Sequence, residues 1–222
     1  MIRKHNNSYW YELLAKSTLE VVFPQEFKEL KSSDKPDLID TSLQMGIEVI
    51  HPIDEKHKEL DSYYDKNLSG KIIGQVSEDG LSKFRSNSYD VIADSFDGTI
   101  YAYRRPYKEF EIELLYNAIS KKVKKLNQKQ YRYSNNISLY LEMAMCSLQI
   151  ANLSVAEKIL NYTKELQKTV VWSYKEIFYD CLYTLYRINL TTYEINEIDM
   201  FPLTDAINQR HIENMKKEGF NF

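Results

Sequence analysis

The chain has 222 residues, of which 43% are hydrophobic and 27% are charged, so its composition is that of a globular protein and excludes global disorder. Its 29 Lys and Arg residues against 32 Asp and Glu residues give a formal charge of −3, which excludes a uniformly basic surface and leaves only local basic patches for nucleic acid. The two cysteines, Cys146 and Cys181, have no CxxC spacing, which argues against a zinc cluster or a disulfide framework. Because no apolar run reaches the roughly 18 residues of a membrane span, we expect a cytoplasmic protein without membrane contact.

The first part of the chain predicts a helix followed by a hairpin. Apolar residues at helical spacing predict a helix over 9–22, capped by Ser8 and ended by Pro24. A short extended run over 37–40 follows. Residues 45–50 are short and β-branched between a glycine and a proline, so we interpret them as the second strand of a hairpin.

An inserted segment over about 54–105 interrupts this pattern. Its predicted elements are an exposed helix over 54–68, a strand over 71–76 and a hairpin of strands 91–93 and 99–103. Asp97-Gly98 between two β-prone runs is the strongest of these signals, because Asp-Gly suits a tight hairpin turn.

The remaining part predicts alternating helices and strands. These are a helix over 109–127, a strand over 137–146, a helix opened by the capping box at Ser154 and reaching 167, a strand over 177–190 and a polar helix and tail over 208–222. The order is typical of an α/β or α+β fold with a mixed central sheet flanked by helices. We therefore expect a single domain over 1–222 with one insertion.

Two carboxylates lie on the predicted hairpin, eleven positions apart, at Asp37 and Glu48. Adjacent strands can bring them together, where their like charges would repel. A divalent cation with oxygen ligands is the simplest physical remedy. Glu48 is flanked by apolar residues, so its carboxylate needs a partner or a wet cleft.

Pro36-Asp37 followed by Glu48 on an apolar strand resembles the PD-(D/E)xK nuclease superfamily, whose core order α-β-β-β-α-β is similar to the predicted one. The resemblance implies a restriction-endonuclease-like core, Mg²⁺ held by Asp37 and Glu48, and DNA phosphodiester hydrolysis. It also implies an assisting carboxylate on the first helix, for which Glu12 and Glu20 are the candidates.

The sequence departs from the family pattern at Ile50, where the family has a lysine that helps to activate water. In some members of the superfamily that lysine has moved to the following helix. Lys122 is the candidate here, because its spacing from Ile119 and Leu126 places it at the edge of the apolar stripe. The other lysines of this run, which we expect to face outward, are Lys121, Lys124 and Lys125.

Further basic residues are candidates for phosphate contacts. They are the lysines of 121–125 with Lys129 and Arg132, and the pair Arg104-Arg105. The alternative for the lysine run is a solvated face near a helix C-terminus, where the helix dipole stabilises cations.

Two histidines and two tyrosines keep open interpretations. His51 and His57, near Glu48, are either additional metal ligands or surface residues. Tyr131 and Tyr133, which lie between basic residues, either stack on bases or pack in the core.

The sequence contains no nucleotide-binding glycine loop and no GxSxG elbow. The kinase, dehydrogenase and α/β-hydrolase classes therefore lack their usual signature motifs in this chain. Three hypotheses remain. The first is an active Mg²⁺-dependent nuclease, and the second is an inactive nuclease-fold binding protein in phage defence or a mobile element. The third is an unrelated interaction protein whose Tyr-rich strands form a homodimer edge, which predicts that Asp37 and Glu48 are far apart.

Overall fold

The computed structural model describes residues 7–52, 55–86, 89–104, 112–128, 131–143 and 152–220. It shows an α+β fold with a mixed seven-stranded sheet flanked by helices, as the sequence predicts. The helices are α1 Asn7–Val22, α2 Glu55–Asn67, α3 Glu78–Arg85, α4 Ile112–Gln128, α5 Leu153–Gln167 and α6 Thr204–Lys217. The strands are β1 Leu30–Ser32, β2 Leu38–Asp40, β3 Met45–Ile50, β4 Tyr89–Ala93, β5 Ile100–Arg104, β6 Ile137–Glu142, β7 Glu176–Asp180, β8 Thr184–Asn189 and β9 Ile195–Asp199.

The chain divides into two compact units, one formed by 1–52 with 110–222 and the other by 53–109. The first unit holds the seven-stranded sheet in the order β1-β2-β3-β6-β7-β8-β9. Strands β3, β6 and β7 are parallel to one another, and the outer pairs are antiparallel. The carboxyl ends of β3, β6 and β7 therefore meet at one edge of the sheet.

The two faces of this sheet are covered by different helices, and the alternation of side chains along each strand decides which residues face which helix. Leu19 of α1 packs in one cluster with Ile47 and Val49 of β3. Val123 of α4 packs in the other cluster, which Ile50 of β3 contacts. The even-numbered residues of β3 therefore face α4, and Glu48 is one of them.

In the β2–β3 hairpin, which the sequence predicts, Pro36 packs closely against Gly46. A Cβ built on Gly46 would clash with Cγ of Pro36, at a separation that real Cβ atoms essentially never show. A glycine is needed here because the proline before Asp37 packs directly against the backbone of β3.

We therefore expect Gly46→Ala to destabilise the protein by about 1–3 kcal/mol, the usual cost of overpacking a filled site. Denaturant unfolding measures it. Gly74→Ala is the matched control, since a Cβ there meets nothing within 4 Å. Equal midpoints for the two variants would contradict the close packing of Pro36 on β3.

The second unit contains α2, α3 and the β4–β5 hairpin, which pairs in the predicted region. Its small core consists of Leu60, Leu68, Phe84 and Tyr89. The predicted strand over 71–76 is wrong, because Ile73–Gln75 is a 3-10 turn and only Ile72 makes an isolated bridge, to Thr99. Helix α3 was not predicted by the sequence pattern.

The predicted strand over 177–190 is also wrong, because it is two antiparallel strands, β7 and β8. No glycine or proline marks the turn. Instead, the Asp180 carboxylate accepts a hydrogen bond from Leu182 N at 3.0 Å, and Leu182 takes a left-handed φ of 68°. A side-chain acceptor thus forms a turn that the alternating pattern conceals.

Several element ends differ from the prediction. Helix α5 is capped by Asn152, whose side chain accepts from Val155 N at 3.1 Å, and not by Ser154. Strand β6 ends at Glu142, and the predicted continuation through Cys146 lies outside the described residues. The edge strands β1 and β9 were not predicted.

Candidate functional site

Asp37 and Glu48 lie opposite each other at the start of the hairpin. The register pairs Leu38 with Ile47, so one step further Asp37 stands across from Glu48 on the face that α4 covers. Val49 N donates a hydrogen bond of 2.8 Å to Asp37 Oδ2 and holds that carboxylate against β3. The prediction of the third hypothesis that these two residues lie far apart is wrong.

Lys122 of α4 joins the two carboxylates. Its ammonium donates a hydrogen bond to Glu48 Oε2 and lies 3.6 Å from Asp37 Oδ2. The side chain is 18% exposed, so the ion pair is largely shielded from solvent. Lys122 thus supplies a cation beside the two carboxylates, on the sheet face where β3 itself carries the apolar Ile50.

The protonation of this group follows from burial and charge. Glu48 is fully buried, and burial together with the like charge of Asp37 raises the pKa of its carboxyl despite Lys122. Burial alone would lower the pKa of the Lys122 ammonium, but Asp37 and Glu48 outweigh burial and raise it. Lys122 is therefore a cation at neutral pH, and it acts as a hydrogen-bond donor and not as a base.

Lys125 also approaches the Glu48 carboxylate, so its expected outward orientation is wrong. Its Nζ lies 3.9 Å from Glu48 Oε2, and its side chain is 38% exposed. Lys121 and Lys124 are exposed, as expected. The i, i+3 spacing of Lys122 and Lys125 places both on one side of α4, a signal that the sequence contained.

Two tyrosines lie close to these groups. Tyr131 was a candidate for base stacking and Tyr174 was not singled out, and neither was predicted to lie beside the carboxylates. Tyr131 is buried, and its hydroxyl has no hydrogen-bond partner among the residues described. Tyr174 is buried, and its hydroxyl donates to the Lys122 carbonyl at 3.4 Å. Burial, reinforced by the charges of Glu48 and Asp37, raises the pKa of both hydroxyls, which stay neutral.

The two helical candidates for an assisting carboxylate lie in α1. Glu20 contacts α6, where Asn214 Nδ2 donates to its Oε2 at 3.1 Å and Arg210 lies 3.9 Å away. Glu12 is half-buried in the same helix. Because α1 covers the sheet face opposite to Glu48, the structure does not group Glu20 with the hairpin carboxylates.

A separate polar network lies where β3, β6 and β7 end. His51 Nδ1 contacts the buried Glu142 carboxylate, and the ring stacks on Tyr11 of α1 at 3.9 Å. Nearby, Tyr140 donates a hydrogen bond to the buried Asp180 carboxylate. Since α1 stacks on His51, this network lies on the opposite face of the sheet, and His51 does not join Glu48.

The donor chemistry of the hairpin pair fits Mg²⁺, which proteins often bind through one or two carboxylates plus water and substrate oxygens. Asp37 and Glu48 would be the protein ligands. Glu48 Oε1 is buried and has no hydrogen-bond partner within the described part of the chain, so this oxygen is available as a ligand for a cation. Across that same part, no group of three or more His, Cys, Asp or Glu side chains is arranged to hold a metal ion.

The other predicted contacts are only partly described. Arg132 is exposed, with its guanidinium 5.1 Å from the ring centroid of the half-buried Tyr133. Base stacking by Tyr131 is not supported, because that ring is buried. The side chains of Arg104, Arg105, Lys129 and His57 lie outside the described residues.

Comparisons with protein-family models, curated proteins and solved structures give no match for this chain. Among the described residues, no helix combines the length and apolar character needed to cross a membrane.

Proposed function

We propose that this chain is a Mg²⁺-dependent phosphodiester hydrolase that acts on DNA, a divergent nuclease of the PD-(D/E)xK type. One observation supports the proposal above all. Lys122 contacts Glu48 and lies 3.6 Å from Asp37, so two strand carboxylates and one lysine converge although β3 carries Ile50.

Each group has a distinct role in this proposal. Asp37 and Glu48 hold the cation. When bound, the cation lowers the pKa of a water molecule and neutralises negative charge on the phosphate. Lys122 is an ammonium, so it orients the attacking water and stabilises the negative charge that develops on the phosphate. Helix α4 holds Lys122 close to the two carboxylates, because the buried residues of this helix fix it against the sheet.

A second candidate function keeps the fold without the chemistry. Lys122 already neutralises Glu48, and an ammonium in that position competes with a metal ion for the same oxygen. This observation favours a nuclease-fold protein that binds a partner without cleaving DNA. The two candidates differ in whether Mg²⁺ binds.

Calorimetric titration with Mg²⁺ and Mn²⁺, together with nicking of supercoiled plasmid, separates the two candidates. We expect the wild-type protein to bind the ions and nick the plasmid, and Asp37→Asn and Glu48→Gln to lose both properties. Asp34→Asn is the matched control, since Asp34 lies in the same loop but is exposed and pairs with Lys35, at 3.8 Å. Nicking that persists in both site variants would refute the nuclease assignment, and the absence of heat with either ion would favour the binding protein.

A cytoplasmic location is consistent with this function, since DNA and free Mg²⁺ are both present there. Assembly into a homodimer stays a prediction.

A further inference from the structure

Lys125 differs from Lys122 in how it is held. Its Nζ lies 3.9 Å from Glu48 Oε2, while Lys122 makes the direct hydrogen bond. The Lys125 side chain is 38% exposed against 18% for Lys122. Lys125 can therefore turn toward a ligand and leave Glu48 still neutralised by Lys122.

Tyr131 lies beside this ammonium. Lys125 Nζ is 6.0 Å from the centroid of the Tyr131 ring. The ring is only 6% exposed, and its hydroxyl has no hydrogen-bond partner among the described residues. Buried hydroxyls are nearly always satisfied, because an unmade hydrogen bond costs free energy. A neutral hydroxyl donor on a ring whose centroid lies 6.0 Å from the Lys125 ammonium is suited to an anionic acceptor.

The charges around these two residues show which anion fits. Asp37 and Glu48 balance Lys122 and Lys125, so the cluster has no net charge without a metal ion. A phosphodiester carries one negative charge, so the two carboxylates repel it less than they would repel a doubly charged phosphate.

We propose that Lys125 and Tyr131 form a phosphate-binding subsite beside Asp37 and Glu48, which takes a phosphodiester group of the nucleic acid backbone. The subsite rests on the proposed function for its substrate class and on the position of Lys125 and Tyr131 for its location. Lys125 contacts the phosphate by charge, as lysine does at many phosphate sites, and Tyr131 donates a hydrogen bond to a phosphate oxygen.

The test uses the dinucleotide dTpdT, which contains a single phosphodiester, titrated into the full-length protein with and without Mg²⁺. We expect Lys125→Ala and Lys125→Gln to weaken dTpdT binding about tenfold, and Tyr131→Phe to weaken it about fivefold. Lys125→Arg keeps the charge and should retain most of the affinity. The matched controls Lys121→Ala and Lys124→Ala, exposed lysines of the same helix, should bind as the wild type does.

Mg²⁺ calorimetry on the same proteins separates this subsite from the proposed function. If Mg²⁺ binding and nicking persist while Lys125→Ala and Lys125→Gln bind dTpdT as the wild type does, the subsite is refuted and the nuclease proposal stands. If the wild type neither binds Mg²⁺ nor nicks DNA but its dTpdT affinity still depends on Lys125 and Tyr131, the subsite stands in a binding protein. Equal losses in the two control lysines would also refute it, because they would show unspecific attraction by the helix.

Discussion

Lys122→Met is expected to lower the free energy of unfolding by about 3–5 kcal/mol at neutral pH, because removing one partner of a buried ion pair leaves an uncompensated charge. Glu48 is fully buried, and Asp37 adds a like charge beside it. Methionine keeps nearly the length of the lysine stem, so the lost free energy reports the charge rather than a cavity. Urea unfolding measures it, and plasmid nicking should be lost at the same time.

The free energy of unfolding that Lys122→Met loses should depend on the charge of Glu48. The double variant Glu48→Gln with Lys122→Met is expected to recover most of the lost stability, since neither charge remains. The loss in Lys122→Met should also shrink at acid pH, where Glu48, whose pKa is already raised, takes up a proton. Mg²⁺ should raise the unfolding midpoint of Lys122→Met more than that of the wild type, since the cation then replaces the ammonium.

Lys121→Met is the matched control, because Lys121 is exposed on the same helix, and its effect should stay within about 0.5 kcal/mol. An unchanged midpoint for Lys122→Met would show that Lys122 does not neutralise Glu48. A midpoint that falls equally in the double variant would show that the loss comes from packing.

The second large effect concerns pH and Asp180. Burial, reinforced by the charge of Glu142, raises the pKa of the Asp180 carboxyl to about 7, although Tyr140 and the Leu182 amide donate hydrogen bonds to it. Between roughly pH 4 and pH 7 the folded state therefore holds a proton that the unfolded state has released. The contribution of the Asp180 carboxyl to the free energy of unfolding is fully present at acid pH and is lost as the pH rises toward 7.

Asp180→Asn should remove this dependence, because asparagine does not titrate. The free energy of unfolding of the wild type relative to this variant is expected to fall by roughly 4 kcal/mol between pH 4 and pH 8, since each pKa unit corresponds to about 1.4 kcal/mol. Thermal or urea unfolding across that range measures the difference.

Asp199→Asn is the matched control for the pH experiment. Asp199 makes the same turn hydrogen bond as Asp180, to Phe201 N at 2.9 Å, but from an exposed position. We expect this variant to track the wild type across the pH range. If the free energy of unfolding of Asp180→Asn changed with pH in parallel with that of the wild type, a raised pKa at Asp180 would be contradicted.

Much of the candidate site was predictable because its signals are local. Pro36, Gly46 and the β-branched residues of β3 mark the hairpin that places Asp37 across from Glu48. The apolar stripe of α4 places Lys122 at its inner edge, and the spacing of Lys125 already allowed the same orientation. Glu20 was assigned from the family resemblance alone, and the contacts of its side chain are with α6 instead.

The sequence by itself determined the helices with strong apolar periodicity, the β4–β5 hairpin with its Asp97-Gly98 turn, the β2–β3 hairpin bounded by proline and glycine, and the pair of carboxylates at the start of β2 and in β3. Only the tertiary structure decided that Leu182 turns the chain between β7 and β8, that β1 and β9 extend the sheet, and that Tyr131 and Lys125 approach Glu48. The reason is physical. Periodicity records which face of an element is buried, whereas the partner of a buried charge is set by how α4 packs on the sheet across a long separation in sequence.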